Sequence, residues 1–127
     1  MIITTGYHVI ATARKVEIIE HLQQLGMTVY PLDVTSDESV VTLKSQVAAL
    51  TGGKLDYLVN NAGRNYTVPG LDVDISEVQF TFETNVVGVI RMCKAFAPLV
   101  IEAKGCIVQI GSVAAVVYVP FILCFLW

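Results

Sequence analysis

Four short runs of apolar, often β-branched residues recur along this chain, and each is joined to the next by a segment with helical spacing. That alternation constrains the fold more than any other feature. Strands separated by helices run in one direction and associate as a parallel sheet, through right-handed crossovers that leave helices on both faces. The predicted strands are Tyr7–Ala13, Thr28–Leu32, Leu55–Val59 and Cys106–Ile110. Between the first two, Lys15–Leu25 carries Ile18, Leu22 and Leu25 on one helical face and stops at Gly26. Thr35 and Glu38 have capping-box spacing, and Val40, Leu43, Val47 and Leu50 then form one apolar stripe that ends at Gly52-Gly53. Ser76 is placed to cap a long helix from Glu77 to about Ala103, with Pro98 as a kink and Gly105 as its stop. The fold class is α/β, with a doubly wound parallel sheet.

Composition narrows the function. The 127 residues fit one domain at most, whereas an enzyme on one doubly wound sheet needs about six strand–helix units. A net charge of −3 without any basic block excludes a nucleic-acid surface. Cys93, Cys106 and Cys124 are odd in number and include no C-x-x-C pair, so free thiols are expected in place of a disulfide framework or a metal site. His8 and His21 lack a partner acid or thiol at ligand spacing and are read as structural. From Gly105 to Trp127 there are 23 residues without a charge, long enough to cross a bilayer. Gly111, Ser112 and Pro120 interrupt that run, and its first part is better explained as the fourth strand. A divergent apolar tail at 118–127 is therefore favoured over a membrane anchor.

In open α/β sheets ligands bind beyond the carboxyl ends of the strands. Arg14-Lys15 follows the first strand, and two cations there suit a 2′-phosphate on an adenine ribose; a solvated helix start is the plainer alternative. Asp33-Val34 follows the second strand, where a carboxylate can accept from an adenine amino group; an ordinary loop Asp serves equally well. Asn60-Asn61-Ala62-Gly63 follows the third, where small residues let the main chain approach a ligand; Asn and Gly are also common in plain turns.

Taken together these segments resemble a short-chain dehydrogenase/reductase. LDYLVNNAG (Leu55–Gly63) is similar to that family's strand signature, TNVVGV (Thr84–Val89) to its helix motif and IVQIGSVA (Ile107–Ala114) to its following strand motif. The resemblance runs from about Tyr7 to Val117, so 1–117 is read as a partial NAD(P)-binding Rossmann-like domain. Its strands are equivalent to the family's second to fifth, with the first strand and the C-terminal half missing. The family pattern implies that Arg14 selects NADP, that Asp33 and Val34 contact adenine, and that Asn60, Ala62 and Gly63 line the cofactor. It implies that Asn85 holds a water in a proton relay and that Ser112 hydrogen-bonds a substrate carbonyl. HVIATAR (His8–Arg14) and NNAGRNYTVP (Asn60–Pro69) resemble the fungal branch that includes NADPH-dependent 1-acyldihydroxyacetone phosphate reductases. That branch implies a small carbonyl or alcohol substrate, a lipid ketone among them. It also implies homo-oligomers, and a location in the cytoplasm or at endoplasmic reticulum and lipid-droplet surfaces, where the apolar tail would meet a membrane.

The sequence departs from that pattern at both ends. Thr5-Gly6 is followed by Tyr7-His8 with no further glycines, so the turn that cradles a pyrophosphate is absent, and Met1–Gly6 reads as the stump of a lost helix. The family's acid is a Tyr activated by a Lys four residues on. Here Tyr118 is followed at that spacing by Ile122, and no Lys follows Lys104. The expectation is a truncated, inactive chain, with a non-catalytic membrane-tethered or partner-binding remnant as the alternative; its two strand pairs either join directly or keep unpaired edges, which favour aggregation.

Overall fold

The computed structural model describes residues 6–113. Residues 1–5 of the expected stump Met1–Gly6, the apolar tail at 118–127, Tyr118 and Cys124 lie outside the described residues. Four strands of four residues each, β1 (Ile10–Ala13), β2 (Thr28–Pro31), β3 (Tyr57–Asn60) and β4 (Cys106–Gln109), alternate with the helices α1 (Asp37–Thr51), α2 (Ile75–Phe82) and α3 (Gly88–Ala103). All pairing is parallel. In the first pair the register runs from Ile10 opposite Thr28 to Ala13 opposite Pro31. In the second it runs from Tyr57 opposite Cys106 to Asn60 opposite Gln109. Among the described residues no strand joins β1–β2 to β3–β4, and the two pairs are not hydrogen-bonded directly to each other.

Side-chain packing, not sheet hydrogen bonding, unites the two pairs. The apolar stripe of α1 (Val40, Leu43, Val47) meets Met92, Phe96, Leu99 and Val100 of α3, and Leu32, Val34 and Leu58 complete this core. Helix α3 shows why that face is buried, since residues 92, 96, 99 and 100 follow one another at spacings of four, three and one. The opposite face of β3 stays open, and Tyr57 and Val59 are both about half exposed. No described helix is long and apolar enough to cross a membrane.

Several local expectations need correction. Lys15–Leu25 is not an α-helix but two 3-10 stretches, Val16–Ile18 and Glu20–Leu25. Lys15 provides no side-chain cap, and neither stretch has a buried residue. An apolar stripe with nothing to pack on does not hold an α-helix of this length. Gly26 does end the segment, at φ 82°. The N-cap is shifted by one residue and is not a capping box: the Ser36 hydroxyl accepts from the Ser39 N–H at 3.2 Å, the Ser36 N–H donates to the Asp33 carbonyl, and Thr35 turns back to Asp33. Asp74, not Ser76, caps α2, its carboxylate accepting from the Ser76 N–H and hydroxyl at 2.8 and 2.7 Å. The single long helix is broken by a π turn at Glu83–Val87, and α3 continues past Pro98 to Ala103. Lys104 adopts the left-handed conformation that ends α3. Gly105 is then required for space, because a Cβ there would collide with the carbonyls of Leu55 and Asp56.

Candidate functional site

The carboxyl ends of β1, β2 and β3 open on one cleft of about 490 Å³. Arg14, Asp33, Val34, Ala62 and Gly63 line it, joined by Arg64, Glu77, Phe80 and Thr84. Each gets there by leaving a strand: Arg14 directly after β1, Asp33 two residues after β2, Ala62 two residues after β3. Asn60, Asn85 and Ser112 are not among the lining residues.

Asp33 is held from both sides. Its N–H donates to the Ser39 hydroxyl at 2.9 Å, and its carboxylate accepts the Thr35 hydroxyl at 2.7 Å and the Thr35 N–H at 2.9 Å. These bonds favour the ionised form, so the Asp33 carboxyl sits below its ordinary range. The Thr35 hydroxyl is the largest cause and the Thr35 N–H the next; partial burial opposes them, and the charges of Arg14 and Arg91 assist. Arg14 is exposed, and its guanidinium makes no ion pair among the described residues. Val34 is buried. Its carbonyl accepts from Arg91 Nη1 at 2.7 Å, and its side chain lies where α3 begins with Gly88.

The three expected site residues outside the cleft have other surroundings. Asn60 is buried on β3 and donates from Nδ2 to the Cys93 sulfur at 3.4 Å, where Gln109 Nε2 also donates at 3.6 Å. Those contacts tie β3 and β4 to α3. Asn85 stands in the middle of the π turn. Its Oδ1 accepts from the Arg64 N–H at 2.8 Å and its Nδ2 donates to the Arg64 carbonyl at 3.0 Å, a reciprocal clamp on the loop after β3. π turns inside helices are rare and recur at functional sites. Ser112 is half-buried, three residues beyond the end of β4.

Sequence reasoning passed over the far wall. Arg64 donates to Glu77 Oε2 at 2.5 Å, and its guanidinium lies 4.7 Å from the centre of the Phe80 ring. Glu77, Phe80 and Thr84 are three and four residues apart, one face of a helix, and that spacing was available as a signal. The cleft therefore carries one cation on each wall, Arg14 and Arg64, with Asp33 and Glu77 beside them.

A family model described as short chain dehydrogenase matches residues 1–125. The chain belongs to that family. Among known short-chain dehydrogenases, one from Aspergillus ruber is 49% identical over 112 residues, covering 88% of this chain and 39% of the relative. An NADPH-dependent 1-acyldihydroxyacetone phosphate reductase of Schizosaccharomyces pombe is 45% identical over 116 residues, covering 91% of this chain and 38% of the relative. The crystal structure of a short-chain dehydrogenase from Streptomyces avermitilis superposes with a TM-score of 0.85 at 30% identity, over 94% of this chain and 45% of that one. The chain thus spans about two fifths of the length of the curated relatives it matches. The parallel strands and their helices are a part of the family's Rossmann-like sheet.

Proposed function

We propose that this chain carries the adenine end of an NADP(H) site of a short-chain oxidoreductase, and that these 127 residues alone do not turn over a ketone or alcohol. The supporting observation is the gathering of Arg14, Asp33, Val34, Ala62 and Gly63 around one cleft beyond the strand ends. The donor set fits the adenosine half of the cofactor. Arg14 offers an uncommitted guanidinium to a 2′-phosphate. Asp33, kept ionised by Thr35, offers an acceptor to an adenine amino group. Val34 gives an apolar wall, and Ala62 and Gly63 let the main chain approach.

NADPH, when bound, supplies the hydride. In the reaction of the whole protein, Ser112 orients the oxygen of a carbonyl substrate. Asn85 holds the Arg64 loop in place, and its π turn borders the path of the relayed proton. The acid is not supplied by this sequence, which has no Tyr with a Lys four residues later. A lipid ketone is the substrate class that the fungal reductase relative suggests. A location in the cytoplasm or at the endoplasmic reticulum or lipid-droplet surface belongs to the same proposal, as does homo-oligomer assembly.

Calorimetry on the purified chain tests the site. Micromolar binding of NADPH, at least about tenfold tighter than NADH, is expected from one charge-assisted contact to the 2′-phosphate. Arg14→Ala then brings the two cofactors to equal affinity. Equal affinities in the unmodified, folded chain, or no binding of either, would overturn the proposal.

A further inference from the structure

Arg91 lies outside the cleft but is bonded to three segments around it. Its Nη1 donates to the Val34 carbonyl at 2.7 Å, its Nη2 donates to Glu83 Oε1 at 2.8 Å, and its Nε donates to Asp37 Oδ1. The acceptors come from the loop after β2, the π turn and the first turn of α1. The guanidinium is mostly shielded, with the side chain 17% exposed. Gly88 stands one helical turn earlier on the same face of α3, and a Cβ there would press into the Val34 side chain. Val34 is thus fixed twice by α3, through its side chain at Gly88 and its carbonyl at Arg91. Glu83, the second anchor, is two residues before Asn85.

We infer that Arg91 is a positioning residue: it sets the Asp33–Val34 wall against the adenine base and locks that wall to the π turn that carries Asn85. This inference rests on the proposed NADP(H) site. Three separate nitrogens of one planar fork are in use, a geometry that an ammonium ion cannot copy. Arg91→Lys therefore keeps the charge and the attraction of the two carboxylates but loses the directed bond to the Val34 carbonyl.

The test uses the full chain and adenosine 2′,5′-bisphosphate, which carries the adenine and 2′-phosphate groups without the nicotinamide. Arg91→Lys is expected to weaken its binding by about tenfold, the scale of one lost charge-assisted hydrogen bond, with the affinity measured on the folded fraction only. Asp37→Asn removes one carboxylate partner of Arg91 without touching Val34, and should bind as the unmodified chain does even if it melts earlier. A purely structural Arg91 would change the melting temperature in both variants and the affinity in neither. Equal affinity of Arg91→Lys and the unmodified chain would overturn the role of Arg91 alone; no binding by the folded unmodified chain would overturn the NADP(H) site and this inference with it. If Arg91→Lys does not fold, the Nε–H resonance of Arg91 in the unmodified chain decides. A shift on adding the bisphosphate supports the coupling through Val34, and an unmoved resonance overturns it.

Discussion

Gly88→Ala puts the contact between α3 and Val34 to a quantitative test. A Cβ added at Gly88 would lie 2.9 Å from Val34 Cγ2, 3.1 Å from Val34 Cβ and 3.2 Å from the Glu83 carbonyl oxygen. Carbon atoms rest at about 3.5–4.0 Å, so the neighbours must yield by roughly 0.5–1 Å. Overpacking of this kind costs about 1–3 kcal/mol, and the gain from replacing Gly by Ala in a helix returns up to about 1 kcal/mol. With about 1 kcal/mol returned, the net loss is roughly 0–2 kcal/mol. Val34→Ala alone removes buried methyl groups and costs about 1–2 kcal/mol. In the double variant the new methyl group occupies space that Val34 has vacated, so the loss should fall short of the sum by about 1 kcal/mol. Urea unfolding followed by circular dichroism on the four proteins measures the cycle. Additivity within about 0.5 kcal/mol would refute the notch-and-knob account of this contact.

Two further outcomes follow from the site and the open sheet face. Thr35→Val deletes the hydroxyl that contributes most to holding the Asp33 carboxyl low. Its titration midpoint, read from the carboxyl carbon resonance, should rise toward the ordinary carboxylate value, and an unmoved midpoint would show that other groups set it. The sign for stability follows. Because the folded-state pKa lies below the unfolded one, the contribution of Asp33 is fully present above about pH 4 and is lost as pH falls through the folded value; the variant has less to lose there. Val59→Lys places a charge on the exposed face of β3 beside Tyr57. Sedimentation should show less self-association, with stability changed by less than about 1 kcal/mol; undiminished association would move attention to the strand edges.

The strands and α1 were legible because their signals are local. Runs such as TVYP and the stripe Val40, Leu43 and Val47 need only a period and a length, and both appear where the periodicity put them, although Leu50, the expected end of that stripe, is exposed. Lys15–Leu25 carries a similar stripe yet forms 3-10 turns, since periodicity records what a segment has to bury and not whether a surface is there to receive it. The π turn was hidden for another reason. Thr, Asn and Val are weak helix formers, but no residue type in ETNVV specifies a π turn, and the turn coincides with the point where Asn85 clamps Arg64, 21 residues away in sequence. The cleft was legible at Arg14, Asp33, Val34, Ala62 and Gly63 because strand ends could be located. Arg91 was not, as its bond to Val34 spans 57 residues and depends on how α3 is rotated against the loop. The place of Asn60 against Cys93 is likewise a product of packing between β3 and α3.

The division of the sheet into two pairs also gives the two pairs different closure costs. In β1–β2 the paired residues Ile10 and Thr28 stand 18 apart, whereas in β3–β4 the paired residues Tyr57 and Cys106 stand 49 apart. By the logarithmic growth of loop-closure entropy, the second pair costs about 0.9 kcal/mol more to bring together. Its strands also flank α2 and α3, whose docking on α1 places β4 beside β3. The cleft-lining loops after β1 and β2 thus belong to the half with the cheaper closure, while the Asn85 turn and the approach to Ser112 belong to the half that is costlier to close.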